Sequence, residues 1–137
     1  MNAVEAGERI LAFIDSYETE RRIARAELSE VATDLAIGTD HLGALVYRVA
    51  RAEAILSVVS HIPQIALNMD TDLVGAANWA LDNARDEVLR SGVDDGWSNA
   101  ASSPRNALNR VSYDARRELV AGTAFVGGLR RILQEAD

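Results

Sequence analysis

The chain has no cysteine and no lysine. Without cysteine, disulfide staples, thiolate nucleophiles and zinc–thiolate centres are excluded. Without lysine, Schiff-base chemistry and a Walker-type phosphate lysine are excluded as well. All fourteen basic residues are therefore arginine, the codon preference of a GC-rich genome, and a bacterial or phage source is expected. Two prolines and nine scattered glycines provide little punctuation, so long helical patterns run uninterrupted. Aromatic residues make up 5%, which leaves a core of Ala, Leu, Val and Ile. No stretch approaches the roughly 18 apolar residues of a membrane span. Met1–Glu5 shows neither the basic nor the apolar region of a secretory signal. The expected compartment is cytoplasmic.

What is present is a helical code. Hydrophobic content of 48% with 26% charged residues over 137 positions suits one globular domain with its own core. Apolar or small residues recur at Ile10, Ile14, Tyr17, Ala24, Leu28, Val31 and Leu35 in steps of four and three, interrupted by Arg21. That is the seam of a coiled-coil-like helix. The spacing predicts a long first helix over about 3–37, ended by Gly38 as a left-handed cap. A second, widely apolar helix is predicted over about 40–62. Pro63 should break it, with a short extension over 64–69. Asp70-Thr71-Asp72 should cap a third helix over about 71–91. Ser103-Pro104 should start a fourth, reaching about 135. Its glycines at 122, 127 and 128 imply close contact or a kink. The expected fold is all-α: a four-helix bundle, mainly up-down, with one long coiled-coil-like helix.

Within these helices one pattern returns. Ala-Arg-x-Glu occurs at 24–27, 50–53, 84–87 and 115–118. A small residue on the seam lets helices approach closely, and the flanking Arg and Glu can pair with neighbours. This reads as a packing layer at mid-bundle, with a buried polar ligand site as the sharper possibility. Arg21 would carry such a site, since a seam charge is costly unless paired, and Glu53, Glu87 and Glu118 are its candidate partners.

Catalytic constellations are thin. His41 and His61 lack the Glu-x-x-His context of di-metal bundles, and no metal site or cofactor is expected. Glu27 and Glu30 reproduce half of the Glu-x-x-Glu plus Glu-x-x-Asp set by which all-α nucleotide pyrophosphohydrolases hold Mg²⁺. Glu53 is followed at the third position by Leu56 instead of aspartate. A Mg²⁺-dependent hydrolase of that kind is one alternative; a self-assembling virion or cage component is another.

Charge is unevenly divided, with residues 1–40 and 70–95 each net −5 and residues 105–133 net +4. The total of −7 disfavours nucleic acid and anionic membrane surfaces. Asp94, Asp95 and Trp97 in the segment 91–103 have the composition of a protein-binding anchor. The leading expectation is a small protein-binding module (an inhibitor, an immunity or antitoxin-type factor, or an adaptor). It would act through the acidic first and third helices and form a homodimer through the long one.

Overall fold

The computed structural model describes residues 1–34, 36, 38–93, 104–121 and 127–136, with backbone alone at 91–93, 104–109 and 127. Six helical segments follow in order among the described residues: α1 Ala3–Val31, α2 Thr39–Val59, α3 Ile62–Met69, α4 Leu73–Val93, α5 Pro104–Ala121 and α6 Gly127–Glu135. No strand occurs among the described residues. None of their helices is long and apolar enough to cross a membrane.

Local chemistry sets the boundaries. Asn2 caps α1 by accepting the Glu5 N–H at 2.8 Å, the ordinary N-cap bond. The helix stops six residues before the expected Ile37. Asp34 accepts the Ala36 N–H on its side chain at 3.0 Å, a turn bond that competes with the helical ladder. Gly38 consequently has extended backbone and precedes α2 as its N-cap; it is not the left-handed cap expected for α1. Pro63 sits in the first turn of α3, where a missing N–H is harmless. Asp70 closes α3 in the left-handed region, with φ 52° and ψ 50°, a conformation that aspartate tolerates better than most residues. Asp72 then accepts the Gly75 N–H at 2.8 Å and caps α4.

The expected fourth helix is two helices, α5 and α6. Arg130 Nε donates to the carbonyl oxygen of Val120 at 2.8 Å. In one straight helix those residues would be about 15 Å apart along the axis, beyond an arginine's reach of that carbonyl. Val120 of α5 and Arg130 of α6 are therefore closer than one straight helix would place them. The glycine-rich stretch between them is a weak place in any helix.

The core is aliphatic. Ile10 and Ile14 of α1 meet Ile55, Leu56 and Val59 of α2, Ile62 of α3, Ala77 and Leu81 of α4, Leu119 of α5 and Leu129 of α6. The 4-3 seam is buried at Ile10, Ile14 and Ala24. Beyond Ala24, Leu28 and Val31 remain partly exposed. Helices α1 and α2 lie antiparallel, since Glu20 pairs with Arg48 while Ser16 and Tyr17 share a cleft with Arg51 and Ala52. The starts of α1 and α4 lie side by side: a Cβ placed on Gly7 would stand 3.3 Å from Leu73 Cδ1.

Candidate functional site

Three of the four alanines that open the recurring tetrapeptide, Ala24, Ala84 and Ala115, are buried, none more than 3% exposed; in the second repeat Ala50 is half-buried and Ala52, two residues on, is the buried one. Neighbouring charges pair between helices. Arg25 of the first repeat binds Glu53 of the second. Arg51 of the second repeat lies 2.8 Å from Glu118 of the fourth. Glu27 is taken by Arg48 at 3.0 Å, which also holds Glu20 at 2.9 Å. In the first, second and fourth repeats the tetrapeptide thus joins helices through an outgoing cation and an incoming carboxylate; the third makes no ion pair among the described residues.

This cluster accounts for two of the four residues singled out as a polar layer. Glu53 and Glu118 are engaged by Arg25 and Arg51, so neither is Arg21's partner. Arg21 is half-exposed and makes no ion pair among the described residues. It reaches water from the seam, as arginine's long stem permits. Glu87 is exposed on α4. Asp94, Asp95 and Trp97 lie outside the described residues.

Among the ion-paired groups of the described residues, Arg51 and Glu118 are the least exposed, and Tyr17 lies beside them. Burial raises the Tyr17 hydroxyl pKa above its usual value, with Arg51 opposing and the Glu118 and Glu20 carboxylates adding to the rise. Burial alone would lower Arg51, but the adjacent Glu118 carboxylate more than offsets it and holds the guanidinium charged. The pair is held more by charge than by direction, because Glu118 Oε2 is shielded from solvent with no donor hydrogen aligned on it. Arg116 gives Nη2 to Ser57 Oγ at 3.1 Å, while its Nε is buried without an acceptor. Each carboxylate near the centre is matched by an arginine, so this layer's chemistry is structural. Glu27 and Glu53, the carboxylates of the hydrolase alternative, are both bound to arginines. No group of three or more His, Asp or Glu that could hold a metal ion occurs among the described residues.

A different feature is open for binding, and the sequence reading missed it. The first turns of α1, the outer face of α3 and the start of α4 enclose a groove of about 670 Å³. Its walls expose Val4 and Leu67, 71% and 77% accessible, with Leu11 at 45%. Its rim carries Glu8, Asp70 and Asp72, all exposed and none in an ion pair among the described residues. The carbonyl end of α3 also points its partial negative charge toward this rim. The signal in the sequence was slight: Val4 and Leu11 stand two turns apart on the side of α1 away from its seam, and Leu67 follows a break at Pro63. Only the chain reversal at Asp70 brings them together.

No family model matches the chain, and neither a curated protein nor a solved structure is significantly similar to it.

Proposed function

We propose that the chain is a protein-binding module whose contact surface is the groove between α1, α3 and α4, and whose partner presents a basic amphipathic helix. The observation that supports this reading is the combination of large exposed aliphatic walls at Val4 and Leu67 with a rim of unpaired acids. An apolar stripe with residues at i, i+3 and i+7 suits a hydrophobic groove between helices. Arginines flanking that stripe would answer Glu8, Asp70 and Asp72. The net charge of −7 would speed encounter with such a partner. Helices α1 and α4 are the two acidic helices expected to make contact, and each supplies part of the rim or its edge. A cytosolic inhibitor, immunity-type factor or adaptor is the role this surface serves best.

The test is titration with a synthetic helix bearing a leucine stripe and flanking arginines, read by methyl chemical shifts. Saturable shifts at Val4, Leu11 and Leu67 are expected, weakened by salt and abolished in Leu67→Asp. Equal affinity for an acid-flanked helix would overturn the charge argument. Unchanged affinity in Leu67→Asp would overturn the site. Concentration-dependent broadening of these methyls without peptide would assign the groove to a second copy of the chain instead.

A further inference from the structure

On the other side of α3 a second, smaller recess opens. Ser57, His61 and Ile65 recur every fourth residue along α2 and α3, and Trp79, Asn83 and Glu87 do the same along α4. Helical periodicity places each set on one stripe, and the two stripes face each other across a slot of about 220 Å³. Buried Ala80 and Ala84 lie between the walls and keep the floor low.

We propose that this slot binds an alkyl cation: a guanidinium or ammonium group on an aliphatic stem. Its volume equals about seven waters at roughly 30 Å³ each, the order of one arginine side chain. Trp79 is 45% exposed, and the flat face of its accessible indole offers apolar surface to an aliphatic stem. Glu87 is exposed and held by no cation among the described residues. The Asn83 side-chain carbonyl is a further acceptor on the same stripe. Val58 and Ile65 supply carbon against which the stem can lie. The opposing charge at the mouth is Arg116, which hydrogen-bonds to Ser57 without pairing with Glu87. Trp79 and Glu87 stand eight residues apart on α4, about 12 Å at 1.5 Å per residue, so the charged head seats at Asn83 and Glu87 and the stem runs back along the indole. The slot does not depend on the apolar groove: it is lined by other residues and admits one side chain instead of a helix face.

The indole N–H of Trp79, assigned in a ¹⁵N-labelled sample with Trp79→Phe, provides the readout. The probes are Gly-Arg-Gly, its neutral isostere Gly-citrulline-Gly, and butylguanidinium. The arginine peptide should shift the Trp79 signal saturably. The citrulline peptide should bind at least about tenfold more weakly, and Glu87→Gln should weaken the arginine peptide by about tenfold, a difference of about 1.4 kcal/mol. If butylguanidinium matches the peptide, the ligand is a free small cation; if only the peptide binds, it is a side chain of a partner protein. Citrulline binding as well as arginine, or Glu87→Gln leaving the affinity unchanged, would overturn the proposal. Both outcomes are readable in folded protein, because Glu87 is a surface residue.

Discussion

Arg51 on α2 stands 2.8 Å from Glu118 on α5, the side chains only 18% and 32% exposed. Of the ion pairs among the described residues it is the least exposed, and it joins helices far apart in sequence. Glu118→Gln should leave a partly desolvated guanidinium without its counter-charge. We expect a loss of about 1–3 kcal/mol by urea denaturation, below the full cost of breaking a buried pair because water still reaches both groups. The double variant with Arg51→Met should recover part of that loss. Strict additivity of the two changes would show that the pair is not coupled.

Tyr17, beside the same pair, makes stability depend on alkaline pH. Its hydroxyl titrates higher in the fold than in the unfolded chain, so the folded state holds that proton more tightly. The resulting stability is fully present below the unfolded tyrosine value of about 10. It declines as pH rises from there through the folded value. Tyr17→Phe should remove this decline above about pH 10, and denaturation midpoints against pH would show it. A decline of unchanged slope in the variant would place its origin elsewhere.

Gly43 lies within α2, and nothing comes within 4 Å of a Cβ placed there. Gly43→Ala should therefore stabilise the protein by about 0.5–1 kcal/mol, through reduced freedom of the unfolded chain and better helix propensity. Thermal unfolding checks the sign.

Leu129 is fully buried although α6 has only nine residues. A helix that short has no stability of its own, so its apolar contacts must hold it. Leu129→Ala should cost about 2–5 kcal/mol and selectively raise amide exchange in α6 before the other helices open. Uniform acceleration across all helices would show instead that α6 unfolds only with the whole.

The sequence made the buried face of each helix legible more readily than the helix ends or the surface. Ala77, Leu81 and Ala84 stand at helical spacing and are buried together, as are Ala115 and Leu119 of α5 and Leu129 and Leu133 of α6. Burial follows side-chain size and period, which are local properties. The ends of α1 and α5 depend on competition between the ladder and side-chain bonds, such as that of Asp34, which residue counts do not weigh. Pairing was legible as a type but not as a list of partners. Arg21 was expected to meet Glu53 or Glu118, yet Arg25 and Arg51 engage them, because the azimuth of each helix decides which arginine reaches. The groove was missed for a related reason: Val4, Leu11 and Leu67 are unremarkable singly, and only the reversal at Asp70 makes them one surface.

The ion pairs among the described residues are all arginine to glutamate, in a chain with no side-chain amine anywhere. Guanidinium groups stay charged at every pH a cell experiences. They also have little appetite for acyl phosphates, thioesters or cyanate, reagents that neutralise lysine. The struts between these helices are therefore chemically inert: metabolic acylation has no amine on them to modify. Regulation of the fold by that route is closed, and any control must act on its partners or on its surfaces.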